Sequence, residues 1–98
     1  MDDDIFVSNK PTTFITTNDS AQYTAPLTAG RYMIASEDAD IYFKVLSSAS
    51  GLTQAGGGLV VYSGSYGSAN VSQDEVIGVV SANSGETSKV GITHVSGR

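Results

Sequence analysis

The chain has 98 residues, the length of one small domain. Charged residues make up 15% of it, against roughly 25% in typical globular domains, and 14 Ser, 9 Thr and 11 Gly supply a surface that is polar without being charged. A net charge of −5 with five scattered Lys and Arg residues argues against binding to a phosphate backbone, so we expect no nucleic-acid partner. The absence of Cys excludes disulfides and thiolate metal sites, and no run approaches the roughly 20 apolar residues of a membrane-spanning helix.

Residues 1–10 form a candidate N-terminal arm. Three aspartates precede the short apolar run Ile5, Phe6 and Val7, which is either a frayed terminus leading into an edge strand or an arm that adds a strand to a neighbouring subunit. The acidic start is the opposite of a basic signal peptide, so we expect synthesis in the cytoplasm. Residues 11–98 are predicted to form a single β domain.

Short runs typical of β-strands recur along the chain at roughly ten-residue spacing. No window combines a 3.6-residue period with helix caps, so we predict no significant helix. The pattern predicts an all-β fold, a small antiparallel β-sandwich or a jelly-roll or barrel of about eight short strands. The predicted runs are 5–7, 12–17, 22–24, 30–36, 41–46, 59–62, 69–72, 76–80 and 89–95.

Two of these runs are joined by an acidic turn and predict a β-hairpin. Alternation places Tyr32 and Ile34 on one side of the first strand. It places Ile41, Phe43 and Val45 on one side of the second, and we expect both sides to face the core.

The run at 76–80 is the most continuously apolar, so we expect a central strand covered on both faces. Gly78 in its middle indicates a bulge or a close approach of the backbone to a neighbour. Residues 47–58 lack any periodicity and are rich in Ser and Gly, which predicts a flexible loop.

Candidate catalytic and metal-binding groups are few. His94 is the single His, and its parity with Val90 and Ile92 favours a partly buried structural residue near a strand end. No Gly-x-Ser-x-Gly elbow is present. The carboxylates at 37, 38 and 40 lack the spacing of a calcium loop and suit a solvated turn better. We therefore predict no enzyme, no catalytic residue, no cofactor and no metal site.

Three stretches carry a family resemblance: 27–32, Leu-Thr-Ala-Gly-Arg-Tyr; 39–45, Ala-Asp-Ile-Tyr-Phe-Lys-Val; and 75–80 followed by 89–93. Together they resemble the small β-rich decoration or cement proteins of tailed-bacteriophage heads. The resemblance implies a virion structural protein that binds the outer head surface and stabilises contacts between major capsid subunits. It also implies a homo-oligomer, with a trimer favoured, that is made in the host cytoplasm and located on the capsid. The arm residues Ile5, Phe6 and Val7 would then contact the partner.

An alternative is a tail, fibre or vertex component, or a small carbohydrate-binding domain. Tyr62 and Tyr66 lie beside the predicted flexible loop, where exposed aromatic rings could stack on sugars. One tyrosine at a turn is more often a packing residue. We therefore keep Tyr62 and Tyr66 as partner-binding candidates beside the arm.

Overall fold

A computed structural model describes residues 12–96, and these residues form eight β-strands without any helix. The all-β prediction is confirmed, and no described segment is a helix long and apolar enough to cross a membrane. The strands are β1 (Thr12–Thr17), β2 (Gln22–Tyr23), β3 (Gly30–Ser36), β4 (Ile41–Leu46), β5 (Leu59–Val61), β6 (Tyr66–Val71), β7 (Val76–Ser81) and β8 (Ser88–Ser96).

The strands pair in two four-stranded antiparallel sheets. Sheet 1 has the order β1-β8-β3-β6, and sheet 2 has the order β2-β7-β4-β5. The apolar sides of the two sheets face each other, which is the arrangement of a small β-sandwich. Of the architectures that the pattern predicted, the sandwich is therefore the one adopted.

The core follows from the alternation of side chains along the strands. Tyr32 and Ile34 of β3 are buried, as are Ile41 and Phe43 of β4, and Val45 packs against them with part of its surface exposed. These are the sides predicted to face inward. The buried cluster consists of Tyr32, Ile34, Ile41, Phe43, Val61, Val71, Ile77, Val79, Val90 and Ile92.

The predicted hairpin between β3 and β4 is wrong. β3 lies in sheet 1, between β8 and β6, whereas β4 lies in sheet 2, between β7 and β5. The acidic turn therefore carries the chain from one sheet to the other. A period of two shows which side of a strand is apolar, and that side faces inward whether the next strand lies beside it or opposite it.

A group of buried hydroxyls holds this crossover. Ser88 Oγ accepts the backbone N–H groups of Asp38 at 3.1 Å and Ala39 at 3.3 Å, and it lies 2.7 Å from Ser36 Oγ. Ser36 Oγ in turn donates to the Ala39 carbonyl. Since Ser36 and Ser88 are only 2% and 1% exposed, the hydrogen bonds that tie the crossover into the sandwich are sheltered from solvent.

All six residues of β7 are buried, as predicted for the central apolar run. Sheet 1 covers one face of β7, and the segment 47–58 covers the other through the buried side chain of Leu52. Gly78 makes this possible, because a Cβ there would lie 2.9 Å from the Tyr23 ring and 3.1 Å from Leu52. The close approach predicted at Gly78 is confirmed, and the pairing of β4 with β7 runs through it without a bulge.

The segment 47–58, which we expect to be a flexible loop, is attached to the sandwich at Leu52 and Gln54. The backbone N–H of Leu52 donates to Tyr23 Oη at 3.1 Å, and Gln54 Nε2 donates to the Ser81 carbonyl at 2.8 Å. Leu52 is 6% exposed. The buried Leu52 side chain and these two hydrogen bonds thus attach the middle of the segment to the sandwich, although its Ser and Gly content is typical of a mobile loop.

Candidate interaction surface

Exposed large apolar side chains of the described residues lie in two places. Phe14 and Tyr66 are 55% and 48% exposed and lie in the outer strands β1 and β6 of sheet 1. Leu59, Val60 and Tyr62 are 65%, 41% and 62% exposed and lie in or directly after β5, an outer strand of sheet 2. Both places are candidates for contact with another molecule, because exposed apolar groups that cluster mark interaction sites more often than scattered ones do.

The strand register aligns a row of four residues across the outer face of sheet 1. Phe14 pairs with Gly91, Gly91 with Ala35, and Ala35 with Tyr66. Neighbouring strands are about 4.8 Å apart, so the two aromatic residues stand about 14 Å apart with two small residues between them. A Cβ at Gly91 would lie 3.2 Å from the Phe14 ring, which shows that this ring packs over the glycine.

A second row runs alongside the first. It consists of Thr12, Thr93, Met33 and Ser68, and the hydroxyls of Thr12 and Thr93 are 2.6 Å apart. At the β6 end a shallow, open depression is lined by Met33, Ala35, Gly64, Ser65 and Tyr66. We call the surface formed by the two rows the sheet 1 face. It is apolar in the middle and hydroxyl-bearing along one side, a composition suited to a protein or carbohydrate surface.

Charge is distributed unevenly between this face and the rest of the described chain. The seven described carboxylates all lie in connections between strands: Asp19, Glu37, Asp38, Asp40, Asp74, Glu75 and Glu86. Arg31 and Lys89 lie on the sheet 1 face, and Lys89 Nζ is 4.5 Å from the centroid of the Phe14 ring. A protein with a net charge of −5 thus presents a face with basic groups at its margins. Such a face favours partners that are neutral or acidic.

Several turn carboxylates brace the backbone. Asp40 accepts the N–H of Ser63 at 2.8 Å, Asp19 accepts that of Gly85 at 3.0 Å, and Glu75 accepts that of Ser72 at 2.7 Å. Among the residues that the structure describes, no three His, Cys, Asp or Glu side chains are grouped so that they could hold a metal ion. These carboxylates act as turn caps.

The turn at 62–65 positions the two predicted tyrosines. Its closing bond runs from the N–H of Ser65 to the Tyr62 carbonyl at 2.9 Å, with Gly64 in the left-handed region at φ 77°. The backbone of Ser36 binds the turn twice. Its carbonyl accepts the N–H of Gly64 at 2.9 Å, and its N–H donates to the Ser65 carbonyl at 3.1 Å. Both tyrosines therefore flank a turn that is fixed to the body of the sandwich.

The structure separates these tyrosines between the sheets. Tyr62 follows β5 of sheet 2, whereas Tyr66 begins β6 and lies on the outer face of sheet 1. The anchored segment 47–58 packs on the outer face of sheet 2, so it does not lie beside Tyr66. The other predicted contact residues, Ile5, Phe6 and Val7, lie outside the described part of the chain.

His94 packs on an aromatic neighbour on the core side of β8. Its ring is stacked on Tyr32, with centroids 4.6 Å apart and planes at 12°. The Tyr32 hydroxyl donates to the Thr28 carbonyl at 2.7 Å, and burial raises the pKa of this phenol above its ordinary value of 10.0. His94 is partly buried near the end of β8, as its alternation with Val90 and Ile92 predicted.

No family model matches this chain, and neither a curated protein nor a solved structure matches it. The sheet 1 face therefore has to be interpreted from its own residues. Sequence reasoning missed Phe14, Met33, Ala35 and Gly91. The available signal was that Phe14 has the opposite parity to Ile15 and Thr17, which face inward, so its ring had to face outward.

Proposed function

We propose that this protein is a non-enzymatic capsid decoration protein that docks on the outer surface of a bacteriophage head and stabilises contacts between major capsid subunits. The family resemblance over residues 27–95 is the reason for choosing a capsid as the partner. The observation that carries the docking role is the sheet 1 face, with Phe14 and Tyr66 bordering Gly91 and Ala35. Localisation on the virion after synthesis in the host cytoplasm belongs to the same proposal.

The mechanism we propose is mechanical. The sheet 1 face consists of paired strands, and buried hydroxyls tie the crossover after β3 to β8, so we expect a preorganised face that loses little entropy on docking. A contact of standard size covers about 800 Å² on each partner. Repetition over a lattice makes modest affinity per copy sufficient, because neighbouring contacts act together.

The arm of residues 1–10 is proposed as a second contact with the partner. Its apolar run would add to the area that the sheet 1 face buries, while the acidic residues before it would remain in solvent. The change Phe6→Asp should then weaken capsid binding without altering the circular dichroism spectrum. Undiminished binding by this variant would eliminate the arm contact and leave the sheet 1 face as the docking surface.

The first experiment counts this chain against the major capsid protein in purified virions by quantitative peptide mass spectrometry. A ratio near one per capsid subunit supports decoration of the whole lattice. A handful of copies per particle supports a tail, fibre or vertex component. Complete absence from the virion overturns the proposal.

A second experiment tests the surface. Purified heads that lack this chain are mixed with the wild type, with Phe14→Glu and with the control Ala55→Glu, which adds the same charge to an exposed position on the opposite side of the sandwich. We expect Phe14→Glu to lower binding at least about tenfold, because the change removes an exposed aromatic ring and places in the docking surface a charge that has to be desolvated. Equal binding by both variants would refute docking through the sheet 1 face.

A second candidate function is carbohydrate binding at the depression beside Tyr66. The open groove lined by Met33, Ala35 and Tyr66 has one exposed ring and neighbouring hydroxyls, which suits a sugar ring. Binding on a glycan array that disappears in Tyr66→Ala and persists in Tyr62→Ala would favour this function over the capsid role. Equal loss in both variants would argue against that depression as the binding site.

A further inference from the structure

One side of the sandwich is formed by the two outer strands β5 and β6, and the residues of these strands and of the turn between them carry no charge. β5 is the last strand of sheet 2 and β6 the last strand of sheet 1, and the turn at 62–65 joins them directly. Both belong to residues 45–73, a stretch without a single Asp, Glu, Lys or Arg. The exposed side chains of Leu59 and Val60 lie on this same side.

An outer strand of this kind is a template for pairing with another strand. Proteins that remain monomeric usually protect such edges with Lys, Pro, inward-pointing charges or a bulge. β6 has none of these: its sequence is Tyr-Gly-Ser-Ala-Asn-Val, and its pairing with β3 is regular over all six residues. We therefore expect this edge to be covered in the assembled protein.

Charge points to a second copy of the chain as the occupant. In a two-fold contact each surface meets itself, so any charge near the axis faces its own copy and repels it. With a net charge of −5, this protein can meet itself at low electrostatic cost only where charges are distant, and β6 meets that condition, because none of its residues is charged and Asp40 binds at Ser63 in the turn before it. We propose that β6 pairs antiparallel with β6 of a second copy. Sheet 1 of one copy and sheet 1 of the other would then form one continuous sheet of eight strands.

The register of this pairing follows from the sides on which the residues lie. Ser68 faces outward and Gly67 and Ala69 face inward, and residues opposite each other in an antiparallel pair share a face. A two-fold axis at Ser68 satisfies this condition, placing Ser68 opposite itself and Gly67 opposite Ala69 of the second copy. Backbone hydrogen bonds would set the usual spacing of about 4.8 Å between the two strands, and the small side chains at these positions do not obstruct the pairing.

This contact is independent of the capsid proposal and differs from the trimer that the resemblance implies. A two-fold pairing closes as a dimer and leaves the middle of the sheet 1 face open on each copy. Dimerisation can be measured on the isolated protein without any capsid. Its failure would leave the decoration role untouched, and failure of capsid binding would leave the dimer untouched.

The test uses the full-length chain and two matched variants. Ser68→Glu places two carboxylates across the proposed axis, whereas Thr16→Glu adds the same charge at an exposed position of β1, the other outer strand of sheet 1. Light scattering after size exclusion should give about 20 kDa for the wild type and Thr16→Glu, twice the chain mass of 10.1 kDa. Ser68→Glu should give the monomer mass, with unchanged circular dichroism.

Hydrogen exchange supplies a second measurement that does not depend on a variant. Raising the wild-type concentration from about 1 to about 500 µM should slow exchange of those amides in 66–71 that point away from β3 by at least about tenfold, while the amides in β1 remain unchanged. A monomer at every concentration, a trimer, or a dimer that survives Ser68→Glu would overturn the pairing. Loss of the dimer in Phe6→Asp with retention in Ser68→Glu would also overturn it, because the N-terminal arm would then be the contact.

Discussion

Removing the Ser88 hydroxyl should destabilise the protein far more than the loss of one exposed serine. In Ser88→Ala the backbone N–H groups of Asp38 and Ala39 lose their acceptor, and Ser36 Oγ loses a neighbour at 2.7 Å. A buried polar group without a partner costs about 1–3 kcal/mol, and the half-buried Asp38 N–H can recover part of this from water. We therefore expect a loss of about 2–4 kcal/mol in the free energy of unfolding.

The assay is urea unfolding followed by circular dichroism, with Thr87→Ala, an exposed neighbouring position, as the control. For a domain of this size a loss of 2–4 kcal/mol corresponds to a decrease in Tm of about 10–25 °C. The slope of the unfolding free energy against urea should stay constant, because the same surface is exposed on unfolding. A difference below about 0.5 kcal/mol between Ser88→Ala and wild type would refute the conclusion that these hydroxyls hold the crossover.

Two further predictions concern packing and pH. Gly78→Ala should lower the free energy of unfolding in urea by about 1–3 kcal/mol, because the new Cβ would lie 2.9 Å from the Tyr23 ring. An unchanged free energy of unfolding would mean that the Tyr23 ring moves aside freely. The raised pKa of Tyr32 means that the folded state retains its proton where the unfolded state loses it, so this contribution to stability is complete below pH 10.0 and declines above it. Tyr32→Phe should lower the free energy of unfolding by about 1 kcal/mol at pH 7, and above pH 10 its stability should decline less steeply than that of the wild type; an equally steep decline would contradict this.

The sequence alone predicts the strands and their inward sides well. The bounds 12–17 agree with β1, and the predicted inward positions of Tyr32, Ile34, Ile41 and Phe43 are all buried. These features are local, since strand alternation depends on a few neighbouring residues.

The partner of each strand cannot be obtained in this way. Whether β4 lies beside β3 or opposite it depends on contacts between residues far apart in the chain, such as the hydroxyls of Ser36 and Ser88, which are 52 residues apart. The anchoring of 47–58 likewise depends on Leu52 finding space above Gly78, and loop composition does not carry that information.

The candidate surface was predictable in part. Tyr62 and Tyr66 were selected from the sequence, and both are exposed. The row that joins Phe14 to Tyr66 needs the order β1-β8-β3-β6, in which the first and last described strands are neighbours. No rule based on nearby residues brings Phe14 and Gly91 together, because 77 positions separate them.

The position of β8 inside sheet 1 affects how the protein can be made. β8 lies between β1 and β3, so β1 has no partner in the sheet and β3 has only β6 until residues 88–96 have left the ribosome. At about 5–20 residues per second, β3 waits roughly 3–12 s after its own synthesis. During that interval the uncharged β6 is already present beside it. Sheet 1 is therefore expected to be completed only once β8 is available, and aggregates should form from chains that still lack β8 rather than from chains in which sheet 1 is complete.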